Sequence, residues 1–303
     1  MKAPLFSFIC LMALIFNPVH AESDSYQSVN LALTQQSQTL FYESRDKTLK
    51  LQGYRVTYQY GIDNWRFNVD YSTARDEDEQ HRLNGNPIYN LQYDTSSINL
   101  VAEYNWSRSW LLLGVSQGQD ETQLHYNGLQ QIIDTHALVD YDSLTVGTGL
   151  TYPTQNGQWI LSGNLDKQFV NEKNTDSVNN VGNPQEAEAV TQVNESGVLA
   201  SIGLSYGHYF PFTERWECYL SAGIHRQITL SGEGRTTTQY HTPRQSNFTT
   251  SSELQDTSQS ASTSQQLQMS LLHYQGNINF TLDKLSDQKI SEAYYSAGFG
   301  INF

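Results

Sequence analysis

The sequence predicts an all-β protein, an antiparallel transmembrane β-barrel of about twelve strands. Three features predict it. Apolar and polar residues alternate with a period of two in segment after segment, which puts one face of each strand in oil and the other against water. Beyond the N-terminal leader, no apolar run approaches the roughly 18 residues of a membrane-crossing helix. All five tryptophans, Trp65, Trp106, Trp110, Trp159 and Trp216, stand beside short turns, where rings that prefer a bilayer interface belong.

The leader is residues 1–21. Lys2 supplies a short basic region, Leu5 to Phe16 an apolar stretch, and Val19-His20-Ala21 small residues at a cleavage position. Cleavage after Ala21 leaves residues 22–303 as one barrel domain, with Cys218 as its single cysteine and so no internal disulfide. Mean hydropathy is -0.54. A barrel keeps this value low, because its apolar band is hidden by alternation. The net charge of -14 argues against nucleic acid as a partner.

Residues 26–44 read as a weak first strand. Leu31 and Leu33 lie on one phase and Leu40 and Tyr42 on the other, so a break near Gln35-Gln36 is expected. Tyr54, Val56, Tyr58, Tyr60 and Ile62 then share a face, and Asp63-Asn64 makes a tight turn into Trp65, Phe67, Val69 and Tyr71. Ile98 to Trp106 and Trp110 to Val115 form the next hairpin. Leu144 to Tyr152 and Trp159 to Leu165 flank an Asn156-Gly157 hairpin signal. Val198 to Tyr206 and Trp216 to Ile224 flank a turn at Pro211 to Glu214. Between these hairpins the polar stretches 75–94, 118–137 and 170–195 read as long loops.

This makes nine strands through about residue 227; 272–282 and the last segment bring the number to eleven. Single-chain barrels have an even number, so one crossing strand must lie hidden within 228–268, with Thr236 to Thr250 as the best candidate. A count of ten, with 22–44 not crossing, is the second choice. A third reading makes 228–268 one loop and absorbs 272–282 into it.

The last eleven residues carry the most specific signal. Ala293, Tyr295, Ala297, Phe299, Ile301 and Phe303 are apolar on one phase, and the chain stops at that aromatic residue. This resembles the terminal strand with which Gram-negative bacteria insert outer-membrane barrels. The resemblance implies a barrel-assembly machinery as partner during insertion, with outer-membrane lipids and lipopolysaccharide as surroundings. Together with one barrel domain, about twelve strands and the aromatic girdle, it is similar to the translocator barrel of autotransporters. Only about 25 residues separate the leader from the first clear strand at Leu49, so the match is to a solitary, passenger-less type. Short turns would then be periplasmic and long loops external.

No residue pattern points to an enzyme, a cofactor or a metal. Asp76-Glu77-Asp78-Glu79 lacks the interleaved glycine of a formed Ca²⁺ loop. His125, His241 and His273 lack ligand spacing. Asp134 and His136 are the one acid–histidine combination at an external rim, and they support only a weak hydrolase alternative. On the inner phase, Arg55, Arg66, Asp70, Glu103 and Glu217 would face the lumen, either pairing to hold it shut or lining a pore. The first reading is therefore a structural or surface-interaction barrel working through its external loops, and the second a small diffusion channel. Residues 22–44 could plug the lumen. Removal of 228–268 would change surface binding and spare assembly.

Overall fold

The computed structural model describes residues 25–42, 45–81, 87–128, 131–180, 186–211, 213, 215–242, 245–254, 261–273, 275–286 and 293–302. The leader with Ala21, and the terminal Phe303, lie outside them. The described residues contain no helix. Their strands are β1 (Ser25–Tyr42), β2 (Arg45–Ile62), β3 (Trp65–His81), β4 (Pro87–Trp106), β5 (Ser109–Asn127), β6 (Gln131–Pro153), β7 (Gly157–Asn180), β8 (Glu186–Pro211), β9 (Glu217–Thr242), β10 (Gln245–Leu254), β11 (Ala261–His273), β12 (Gly276–Leu285) and β13 (Tyr294–Asn302).

All neighbours are antiparallel, and the sheet closes on itself. β13 pairs with β1, from Ser28 opposite Asn302 to Gln35 opposite Tyr295. At the other side, β8 pairs along the whole of β9. The second edge of β9 is shared. Its residues 217–228 pair with β11 and its residues 234–242 with β10. Twelve strands therefore close the barrel, and β10 is an extra strand beyond it.

One phase of the wall is an apolar belt. Val29, Leu31 and Leu33, Trp65 and Phe67, Leu111, Leu113 and Val115, Leu144, Val146 and Leu150, Leu267, Ile278, Phe280, Phe299 and Ile301 are all exposed on it. In β13 the belt is nearly the whole strand. Nine residues at about 3.3 Å each reach only across a bilayer core, for which a tilted strand needs about 9–11. By contrast β6, β7, β8 and β9 have 23, 24, 26 and 26 residues. They run on past the belt as a tall wall at the end of the barrel away from the short turns.

This corrects several expectations. The described residues of 75–94, 118–137 and 170–195 are not loops but paired ribbon; Asn171 lies opposite Asn194, and the ladder continues to Asn179 opposite Glu186. Such ribbon needs no apolar face in water, because β-branched residues and polar cross-strand pairs sustain it. The hidden crossing strand is not Thr236–Thr250, which falls on the tall part of β9 and on β10. It is β11, whose outward Leu267, Met269 and Leu271 oppose Leu282, Phe280 and Ile278 of β12. The chain turns before Gly276, so 272–282 is not one strand, and removal of 228–268 would take most of a crossing strand with it. β1 is a wall strand and not a plug, and its register with β2 runs unbroken from Ser25 to Tyr42.

The turns are tight where the wall demands it. Asp63 and Ser107 open their turns with φ of 52° and 57°, the left-handed geometry of the short hairpins that match strand twist. Gly157 is not the turn residue its Asn156-Gly157 context suggests. It opens β7, and a Cβ there would sit 2.2 Å from the Gly207 carbonyl.

Candidate functional site

The inner phase of the belt region is polar. Arg55 donates from Nε to Asp70 Oδ2 at 2.6 Å, and a second guanidinium nitrogen contacts the same oxygen. Thr57 donates to that oxygen at 3.1 Å, and Arg55 also hydrogen-bonds Tyr294. Arg66 Nη1 approaches Glu103 Oε1 at 3.6 Å, with Asn105 Nδ2 donating to the same oxygen at 2.8 Å. Both pairs join neighbouring strands, since Arg66 is directly opposite Glu103 and Asp70 is opposite Thr57. They brace the wall and do not bridge the lumen. Hydroxyl pairs, Ser72 with Ser97 at 2.8 Å and Ser116 with Ser143 at 2.6 Å, continue the same lining.

Small inner residues give space that neighbours fill. The rings of Trp110, His225, Tyr219 and Tyr141 lie against Gly149, Gly203, Gly207 and Gly118, so close that a Cβ would collide with each ring. A ring lying flat over a glycine on the next strand covers the exposed backbone. Trp110 is thus a lumenal residue and not part of an outer girdle. Trp65, Trp106 and Trp159 do face outward near the short turns, and Trp216 meets the His273 ring in a tilted contact at 4.8 Å between centroids.

At the ribbon end the lining changes. Leu49 and Leu51 of β2, Leu91 and Tyr93 of β4 and Leu124 of β5 pack together, with Ala74 and Tyr89 against them. Leu49 and Leu51 are only 1% exposed, the largest fully buried side chains among the described residues. This apolar cluster on the inner phase narrows the mouth above the belt. Beside it lies a cavity of about 470 Å³, bordered by Arg55, Asp70, Tyr93, Asp120, Tyr141 and Tyr294 among others. Burial first, and then the Asp120 carboxylate, push the hydroxyls of Tyr93 and Tyr141 above the usual phenol range. Burial and a hydrogen bond to Asp78 do the same to Tyr89.

Comparison with known proteins gives the architecture a place. The translocator domain of the autotransporter NalP from Neisseria meningitidis superimposes with a TM-score of 0.58 at 12% identity, covering 98% of this chain and 94% of that one. The β domain of the Bordetella autotransporter Brka does so with a TM-score of 0.53 at 10% identity, covering 92% and 100%. The fold is that of an autotransporter translocator barrel. No protein-family model and no curated protein matches the sequence.

On the outer phase of this translocator-type barrel, the β5–β6 ribbon carries two histidine–carboxylate pairs. His125 Nδ1 is 2.5 Å from Asp134 Oδ1, and His136 Nε2 is 3.0 Å from Glu121 Oε1. Glu121 also accepts from Gln123 at 2.6 Å; these two bonds, that from Gln123 first, hold its carboxyl below the usual range. Asp134 and His136, the expected rim pair, are therefore each engaged with a different residue and do not form a dyad. Of the other lumen candidates, Glu217 opens β9 at the short-turn rim, exposed, and pairs with neither arginine. Tyr295, Phe299 and Ile301 lie on the outward phase of β13, with Phe299 and Ile301 exposed. Sequence reasoning missed the apolar cluster and Asp120. Leu91-x-Tyr93, Asp120 and Leu124 stood inside stretches read as polar loop, and Leu49-x-Leu51, at the start of the strand read from Leu49, had no visible partner without them.

Proposed function

We propose that this protein is an integral outer-membrane barrel whose working part is the tall ribbon wall, held outside the cell as an interaction surface. The observation that carries the reading is the height of β6 to β9, more than twice what a bilayer needs. The excess is paired strand and not loose loop, and a preformed surface loses little conformational freedom on binding. Polar groups cover its outer phase. Lys167 donates to Ser196, and Ser196 donates to Glu233. Lipopolysaccharide and outer-membrane lipids are its surroundings, and insertion by the barrel-assembly machinery through β13 is part of the same proposal. No enzymatic step is assigned.

A diffusion channel is the second reading. It is favoured by Arg66, which stays 55% exposed although it faces the lumen. One experiment separates the two. Purified barrel, shown folded by its heat-dependent gel shift, is placed in a planar bilayer. The surface reading expects no steady conductance. Discrete open levels whose ion selectivity shifts on Arg66→Glu would replace it with the channel. In parallel, excising 172–193 should abolish binding of fluorescent-labelled cells to one another or to a matrix without changing the gel shift; unchanged binding would sink the surface reading.

A further inference from the structure

The cavity beside the mouth is a candidate site in its own right. Asp120 projects from the inner phase of β5, opposite Thr95 of β4 and Val139 of β6. Its carboxylate lies beside the Tyr93 hydroxyl, which it helps to push up. Its Oδ1 is buried and has no hydrogen-bond partner. A buried carboxylate oxygen left unpaired costs about 1–3 kcal/mol or more. Such an atom calls for a donor from elsewhere.

The surroundings say which donor. Among the described residues no Lys, Arg or His forms an ion pair with Asp120. Arg55, which borders the same cavity, is committed to Asp70. These two charges cancel, so the cavity keeps the charge of Asp120. The inner phase above the belt adds Asp76, Asp78, Asp166, Glu172 and Asp176, against Arg45 and Lys47 at inner-phase positions of β2, and so stays acidic on balance. That field draws cations toward the mouth. The cavity also has aromatic walls. The Tyr141 ring is laid down by Gly118, where a Cβ would come within 2.1 Å of the ring. Tyr93 and Tyr294 border the space as well, with Leu51 and Ala74 as its apolar side. Aromatic faces attract ammonium groups within about 6 Å.

A bare metal ion fits poorly. Calcium takes 6–8 oxygen ligands, and no group of three or more His, Cys, Asp or Glu suited to a metal exists among the described residues. A quaternary ammonium has no proton to give Asp120 Oδ1. We infer that this cavity binds a small primary ammonium compound, its –NH₃⁺ donating to Asp120 Oδ1, its charge beside the Tyr93 and Tyr141 rings, and its hydrocarbon part against Leu51 and Ala74. At about 470 Å³ the space is of small-molecule size. The assignment goes beyond the surface reading and does not depend on it.

The test is calorimetric titration of the full, detergent-solubilised barrel with three probes, butylammonium, tetramethylammonium and neutral 1-pentanol. Butylammonium should bind saturably. Tetramethylammonium should bind at least tenfold more weakly, and pentanol should show no saturable binding. Equal affinity for butylammonium and pentanol, or no binding of butylammonium, overturns the proposal without need of any variant. In Asp120→Asn, butylammonium affinity should fall at least tenfold with the gel shift intact. Asp166→Asn, where Thr145 already donates to the carboxylate at 2.5 Å, should change it less than twofold. Affinity that survives Asp120→Asn would place the amine elsewhere and end the assignment. Loss of surface binding on excision of 172–193 with butylammonium binding retained would show that the two functions stand apart.

Discussion

The two sides of this barrel are built to different heights. β11, β12 and β13 have 13, 10 and 9 residues and end close to where their apolar alternation ends. β6 to β9 keep pairing well beyond the belt, as with Asp142 and Asp140 above Leu144 on β6. The low side needs lipid on one phase to be stable. The tall side continues in water because its backbone ladder is complete and its side chains pair across strands, as Gln119 does with Asp140 at 2.9 Å. Strand length here follows pairing, and only membrane crossing follows hydrophobicity.

That contrast can be broken most severely by deletion. Removing 294–303 should leave β1 and β12 each with one unpaired edge, open the barrel, and abolish the heat-modifiable folded form in vesicle-refolding assays. Excising 172–193 removes more than twice as many residues, yet its ends, Asn171 and Asn194, already face each other, and the folded band should persist. If the short deletion were tolerated and the long one not, the ribbon would be the framework.

A smaller effect is expected inside the tall side. Leu49→Ala, at a position 1% exposed, should cost about 2–5 kcal/mol in urea-dependent refolding. Leu33→Ala, on the lipid face and 70% exposed, should cost far less in the same assay. Equal losses would mean that the apolar cluster does not hold the mouth together.

Charge should separate the regions next. Phe280→Arg, in the belt, is expected to cost about 2–4 kcal/mol if it lies near the bilayer midplane. Gln119→Arg, on the same phase of the wall but above the belt, should stay within about 0.5 kcal/mol. A large loss at Gln119 would put the membrane boundary higher than the exposed leucines do.

The smallest effect is titration on the ribbon. Glu121 has its carboxyl held down by Gln123 and His136. Its contribution is present above the ordinary glutamate range and is lost as pH falls through the lowered value. The pair is partly exposed, so the change should be below about 1 kcal/mol. Protection factors of β5–β6 ribbon amides, corrected for the intrinsic slowing of exchange in acid, should fall as pH drops below the ordinary glutamate range, and Glu121→Gln should remove that dependence while leaving β13 amides unaffected.

The amino-acid sequence by itself determined the class of the molecule. Alternation over Tyr54 to Ile62, Leu144 to Tyr152 and Tyr295 to Ile301 requires a wall with one face in lipid, and evenness of strand number then put twelve ahead of ten, a choice that the pairing of β1 in the wall decides. Arg55 beside Asp70 and Arg66 beside Glu103 were legible as inner-phase charges for the same reason. Partners were not, because pairing depends on register, and register is a property of two strands. β11 was illegible because its outward phase offers only Leu267, Met269 and Leu271 amid Ser and Gln, a signal that gains meaning only opposite Leu282, Phe280 and Ile278. The ribbons were read as loops because alternation reports an oil–water boundary, and they have none. Only the tertiary structure decided that Trp110 turns inward over Gly149, that Leu49 meets Leu91 and Leu124, and that Asp120 is left with an oxygen to satisfy. Each of those depends on curvature bringing together strands that the chain keeps tens of residues apart.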